Sequence, residues 1–199
     1  MEALNDALFL LLNAPAHPDA LELALARLFA VWAIWLVPLV LTAGWLRGSR
    51  RTRTLMLEAA ASGLAGMLAN QVIGLVWRHP RPFMVGLGHT YLAHAPDSSF
   101  PSDHATLLWA VSLSLLAHRR TRLAGAVLTV LGLPLAWARV YLGVHFPLDM
   151  AGAALVACFC AWLCLHEEHR GIEPAALRLE ALFRRCFAPL LERGWIVLR

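Results

Sequence analysis

Long apolar runs alternate with short polar segments along the chain. Residues 28–46 and 59–77 are two uncharged runs of 19 residues each. A spanning helix needs about 18 or more such residues. Three further uncharged runs are shorter: 105–117, 123–138 and 150–165. Taken singly, runs of that length also suit buried helices of a soluble protein. These runs, however, are apolar on all sides rather than along one stripe. Five of them are too many to bury inside 199 residues of soluble chain. The pattern predicts an all-α, polytopic membrane bundle of about five spans, folded as one domain over residues 1–199.

The two ends read differently. Leu4, Leu8, Leu11 and Leu12 share one helical face within residues 1–20, but the apolar run Leu8 to Leu12 is too short to cross. Glu2 and Asp6 stand where a signal peptide would carry positive charge. An in-plane interfacial helix is expected there, with no cleaved signal. In residues 172–199, Leu179, Leu182, Phe183, Cys186, Phe187, Leu190 and Leu191 repeat at helical spacing, and Arg178, Arg185 and Glu192 mark another face. This predicts an amphipathic helix, kinked at Pro189, on the inner membrane surface. Packing against the protein's own loops is the alternative.

Composition sharpens the class. Hydrophobic residues make up 59% and charged residues 15%, with mean hydropathy +0.61. A soluble domain is roughly one-quarter charged. Disorder, a soluble nucleic-acid binder and a disulfide-stapled secreted domain are therefore disfavoured. All 17 basic residues are Arg. Without Lys, Schiff-base and P-loop chemistry are excluded. Cys158, Cys160 and Cys164 lie in the fifth run and Cys186 in the tail, so no outer-loop disulfide is expected. Cys160 and Cys164 share a helix face without a His or carboxylate to complete a metal set, which favours apolar packing.

Charge also sets orientation. Arg47, Arg50, Arg51, Arg53, Arg119, Arg120, Arg122 and every Arg from Arg170 onward fall on one side of a five-span chain. That side is expected to be cytoplasmic. Arg27, Arg78, Arg81 and Arg139 fall on the other, outer side.

The outer side gathers the chemistry. One outer loop holds Arg78-His79-Pro80-Arg81-Pro82-Phe83 and Ser98-Ser99-Phe100-Pro101-Ser102-Asp103-His104; the other holds His145-Phe146-Pro147-Leu148-Asp149, just after Arg139. Arginines and histidines together suit phosphate, whose oxygens match the planar guanidinium fork. His145 and Asp149 are four apart at a helix entrance. A carboxylate so placed can accept Nδ1–H and leave Nε2 as a nucleophile, or the pair can simply close the helix end. Ser102 suits an N-cap, and His104 just inside it suits a general acid; an ordinary capped helix reads the same way. Arg81 and Arg139 fall near helix C-termini, where a cation also favours the dipole. His79, His89, His94 and Asp97 are expected to be mostly peripheral. Asn70 and Gln71 are placed on the substrate approach or in interhelical hydrogen bonds.

Arg81-Pro82, then Pro101-Ser102-Asp103-His104, then Arg139-x5-His145-x3-Asp149 resemble the three signatures of the type 2 phosphatidic acid phosphatase superfamily. The match runs from the second span to the fifth. The local text around these motifs, the length and Gly194-Trp195 look most like the bacterial undecaprenyl-diphosphate phosphatases of the bacitracin-resistance type. The resemblance implies a multi-pass enzyme of the bacterial inner membrane with its site facing outward. It would cleave the terminal phosphate of a lipid diphosphate and recycle the carrier for cell-wall synthesis. It implies His145 as nucleophile through a phosphohistidine, Asp149 as its orienting partner and His104 as acid. Arg81, Arg139 and Ser102 would hold phosphate. Neither a metal nor a cofactor is implied, and no nucleic-acid partner. Two positions depart from the pattern: Gly74 where the first signature has Lys, and Ala138 where the third has Ser. Arg78, three residues from Arg81, is a candidate to supply the missing charge. A broader phosphatase of phosphatidate or phosphatidylglycerol phosphate is the alternative, and a non-catalytic lipid carrier is disfavoured by the intact histidines.

Overall fold

The computed structural model describes residues 2–166 and 172–186. Among these residues the chain is helical, with no strand. Helix α1 spans Glu2–Leu12, α2 Ala20–Arg47, α3 Arg50–Val76, α4 Asp103–Ala117, α5 Arg122–Tyr141, α6 Pro147–His166 and α7 Glu173–Cys186. Four of them, α2, α3, α5 and α6, are long and apolar enough to cross a membrane, and α4 is a shorter apolar helix. The protein is a multi-pass membrane protein.

Local sequence explains the helix boundaries. Asp19 caps α2, accepting from the amides of Leu21 (2.8 Å) and Glu22 (3.2 Å). Helix α2 therefore starts eight residues before the uncharged run and carries Arg27 within it. It passes through a π turn at Leu28–Trp32 and a 3-10 turn at Ala33–Trp35 before resuming at Leu36. Pro38 offers no amide to the turn before it, which accounts for the irregular ladder there. Ser49 caps α3.

The shortest of the five bundle helices, α2 to α6, is the most enclosed. Helix α4 packs against α3, α5 and α6. Its Ala105, Leu108, Ala110, Val111 and Leu115 are fully buried. Small residues bring its neighbours close. A Cβ at Gly125 would overlap the backbone of Leu116, and one at Gly132 would overlap the Trp109 indole. The outer faces are apolar too: Leu64, Leu68, Val72 and Leu75 form an exposed stripe on α3, and Leu155, Phe159 and Trp162 one on α6. Exposed apolar stripes at helical spacing suit contact with lipid chains.

Both ends of the chain fold back. In α1 the predicted face of Leu4, Leu8, Leu11 and Leu12 is exposed, whereas Asn5 and Phe9 are buried. Asn5 accepts from the amide of Leu148 at the start of α6 (3.1 Å), and Phe9 packs on Phe146 with ring centroids 5.3 Å apart. The α1 segment thus braces the end of α5 and the start of α6 as well as offering an apolar face. At the other end, α7 docks on α3: Arg53 donates to Glu180 (3.1 Å) and Trp45 meets Phe183 edge-on. Over these residues the tail packs on the helices α2 and α3 rather than on loops. Pro189, Phe187, Leu190, Leu191, Glu192 and Gly194-Trp195 lie outside the described residues.

A polar cluster is buried toward the α7 end of the bundle. Glu58 of α3, with no solvent exposure, accepts from Ser114 (3.0 Å) and pairs with His118 (2.8 Å). A charge in such a place survives only if paired.

Candidate active site

Helix α3 stops at Val76, short of Arg81. Trp77 is extended, and His79 and Arg81 each precede a proline, which disfavours helical backbone. Arg81 therefore does not end the second span. It starts a 3-10 turn over Pro82–Met84 and is buried in the loop. Its side chain is held on all sides. Nε donates to Asp97 (2.8 Å), Nη2 to the carbonyl of Ser98 (3.1 Å), and Nη1 to the carbonyl of Val144 (2.8 Å).

The same Nη1 lies 3.1 Å from Nε2 of His145. Arg139, near the end of α5, brings its Nη2 to 3.5 Å from that atom. A guanidinium only donates, so Nε2 must be the accepting nitrogen. The imidazole proton is then on Nδ1, which lies 3.2 Å from Oδ2 of Asp149. Two independent contacts thus fix one tautomer. Ser99 Oγ donates to the same carboxylate oxygen, and the Phe146 amide adds a third donor (2.8 Å), capping α6 behind Pro147. Burial pushes the His145 imidazole down to about 4; its hydrogen bond to Asp149 opposes the shift, and the Arg139 charge adds to it. His145 is therefore neutral at pH 7, with its lone pair aimed between two guanidiniums.

Ser102 and His104 complete the cluster. Ser102 holds the N-cap position of α4, but its hydroxyl makes no capping bond. It is buried without a partner, as is Nε of Arg139. Unpaired buried donors cost free energy. His104, the second residue of α4, makes no hydrogen bond among the described residues. It lies close enough to Arg139, His145, His94 and Arg81 to feel their charge. Asn70 of α3 anchors this helix start, donating to Asp103 (2.8 Å) and Thr106 (3.1 Å). Asn70 is thus an interhelical tie, while Gln71 lines a neighbouring cavity.

Glycines set the approach. Gly143 takes a positive φ of 78° in the turn between Arg139 and His145. Gly152, one turn beyond Asp149, lies against the Phe100 ring, which a Cβ would overlap.

Five of the predicted residues, Arg81, Ser102, Arg139, His145 and Asp149, come together with His104 at one end of the bundle. Arg78 does not join them. It is exposed and lines the cavity beside Gln71 and Gly74. Two residues placed at the periphery belong to the site. Asp97 grips Arg81, and the His94 ring centroid is 6.1 Å from that of His145. Burial holds His94 below its ordinary value. Ser99 was not singled out at all. It adjoins the Pro101-Ser102-Asp103-His104 run, but spacing does not tell which serine turns inward. His89 is peripheral, bound through its backbone to Asn13 (2.7 Å and 2.9 Å).

A buried neutral histidine, backed by a carboxylate and faced by two arginines, thus sits at one end of the helical bundle. The chain belongs to the PAP2 superfamily, whose profile matches residues 55–171. It is 36% identical over 203 residues to the Escherichia coli K12 protein named "Putative undecaprenyl-diphosphatase YbjG", covering 98% of each chain. It is 34% identical over 160 residues to undecaprenyl-diphosphatase BcrC of Bacillus subtilis 168, covering 80% of this chain and 82% of that one. Among solved structures, LpxE of Aquifex aeolicus shares the fold with TM-score 0.64 at 23% identity, covering 82% of this chain and 95% of that one.

Proposed function

We propose that the protein hydrolyses the terminal phosphate of a polyprenyl diphosphate, undecaprenyl diphosphate in the cell, at the outer face of the bacterial inner membrane. The observation that carries the reading is Nε2 of His145, in a ring kept neutral by burial and oriented by Asp149, standing 3.1 and 3.5 Å from the two guanidiniums. The likeness to undecaprenyl-diphosphatases over nearly the whole chain supports the substrate. The arginine-rich opposite end supports the orientation.

An incoming phosphate takes the N–H donors of Arg81 and Arg139 onto its oxygens, which frees the Nε2 lone pair. Ser102 Oγ supplies a further donor. Nε2 attacks phosphorus as the bond to the bridging oxygen breaks, and the electron pair leaves on the lipid monophosphate. The guanidiniums stabilise charge on the equatorial oxygens. Asp149 stabilises the imidazolium that forms. In the second step His104 takes a proton from water, the water oxygen attacks phosphohistidine, and the N–P bond breaks to restore His145. A diphosphate's leaving group needs less protonation than an alkoxide, since phosphate's second pKa is about 6.

The test is substrate-resolved phosphate release by the purified protein in detergent. Undecaprenyl diphosphate, phosphatidate and phosphatidylglycerol phosphate are compared, with His145→Ala as control. Preference for the diphosphate and loss of release in His145→Ala are expected. Normal rates from His145→Ala overturn the mechanism, and preference for either glycerolipid overturns the substrate.

A further inference from the structure

His94 stands in the loop between α3 and α4, with its ring centroid 6.1 Å from that of His145. The mechanism above leaves it without a role. We propose that His94 is a further ligand of the phosphate bound at His145, and that it takes up a proton as the anion arrives. The inference rests on the proposed phosphatase reading and adds to it a cation that exists only while phosphate is bound.

The charge balance of the cluster calls for such a group. Arg81 and Arg139 bring its two guanidiniums to Nε2 of His145. Against them, Asp97 pairs with Arg81, Asp149 backs His145, and Asp103 acts electrostatically on Arg139. With its histidines neutral, the cluster therefore sets three carboxylates against two guanidiniums. Each carboxylate is engaged away from Nε2: Asp97 by Nε of Arg81, Asp149 by Ser99 and the Phe146 amide, Asp103 by Asn70. Donors face the anion, but the net positive charge that a phosphate dianion wants is missing. A proton gained on binding supplies part of it.

His94 is arranged to take that proton. Its Nδ1 lies 3.1 Å from the Ala95 carbonyl, which only accepts, so the hydrogen of the neutral ring is on Nδ1. Nε2 keeps its lone pair and makes no hydrogen bond among the described residues. The side chain is 20% exposed, which gives solvent protons access to the ring. Burial keeps the ring below its ordinary value, and the charges of Arg81 and Arg139 add to that effect. A bound anion offsets both charges. The Ala95 carbonyl and Asp97, whose Oδ1 is 3.7 Å from Nδ1, then favour the imidazolium against burial alone. The charged ring donates Nε2–H to a phosphate oxygen. One such charge-assisted bond spans about 2.8 Å. An oxyanion held by the two guanidiniums over Nε2 of His145 is therefore within reach of a ring 6.1 Å away. His104 of α4 is the remaining titratable neighbour, and in the proposed mechanism it stays neutral as the base for water.

The test uses the full chain in detergent and tungstate, a tetrahedral oxyanion that stays a dianion across neutral pH. Tungstate binding is measured by calorimetry in two buffers of different ionisation enthalpy, and its Ki against farnesyl diphosphate hydrolysis is followed with pH, for wild type and His94→Gln. Wild type is expected to take up about one proton more than His94→Gln on binding. Near neutral pH the variant's Ki is expected to be about tenfold higher, as for loss of a charge-assisted bond. The wild-type Ki is expected to rise with pH as the bound His94 loses its proton, and to approach the variant's value above that range. Equal uptake with equal Ki overturns contact with the anion. Equal uptake with a raised Ki overturns the proton gain and leaves His94 a residue that only shapes the site. The wild-type profile needs no variant, so a Ki that is flat with pH overturns the proposal even where the melting temperature shows that His94→Gln has misfolded. A wild type that neither hydrolyses a prenyl diphosphate nor binds tungstate overturns the underlying phosphatase reading instead.

Discussion

Ser99 donates its hydroxyl hydrogen to Oδ2 of Asp149, the oxygen that also faces Nδ1 of His145. Both residues are buried, so the carboxylate is ordered by donors rather than by water. Oδ1 of the same carboxylate has no partner, so Oδ2 carries the positioning. Ser99→Ala is expected to lower kcat by about tenfold, as for other outer-shell orienting groups, with little change in KM. Steady-state kinetics on a prenyl diphosphate check this. A rise in KM at constant kcat would assign Ser99 to substrate binding instead.

Asp97 holds the Nε side of Arg81 and leaves Nη1 facing His145. Its side chain is 60% exposed, so its value lies in aim rather than in a buried ion pair. Asp97→Ala is expected to reduce kcat/KM by about tenfold. Asp97→Asn keeps an accepting oxygen and is expected to lose less. Equal losses in the two variants would mean that charge, not geometry, is what Arg81 needs.

The neutrality of His145 has a pH signature. Its folded value is pushed down to about 4 by burial, from an ordinary 6.5. The imidazole therefore stays neutral as pH falls through 6.5 and protonates only near 4. The nucleophile is lost below that pH, not at 6. Nitrogen-15 NMR of histidine-labelled protein, compared with His145→Gln, reads this directly. The resonance that disappears in the variant is expected to titrate near pH 4.

The Glu58–His118 pair predicts stability rather than activity. His118→Ala leaves a buried carboxylate with Ser114 alone. Breaking such a pair costs about 3 kcal/mol or more, so the melting temperature in detergent is expected to drop. Adding Glu58→Gln removes the stranded charge and is expected to restore part of the loss. Failure of the double variant to recover would mean that packing, not charge, holds the cluster.

The spans were legible because lipid contact and burial both demand apolar side chains over a set length. The motif residues were legible because Arg, His and Asp are scarce in an apolar chain. Position within the motifs was less so. The first signature placed Arg81 near the end of a helix, but the prolines at 80 and 82 deny helical backbone and turn it into a loop residue. Ser102 occupies the expected cap position, yet its hydroxyl turns inward and caps nothing.

The sequence by itself determined the helical spans, their count of arginines at each end, and the presence of His104, His145, Asp149, Arg81 and Arg139. These follow from composition and short-range periodicity. Only the tertiary structure decided which side chains converge. Asp97 and Ser99 join His145 because the loop after α3 folds back over the starts of α4 and α6. Arg78, three residues from Arg81, falls into the next cavity. Contacts between groups as far apart as Arg81 and His145 depend on how the helices pack, and no local pattern encodes that distance.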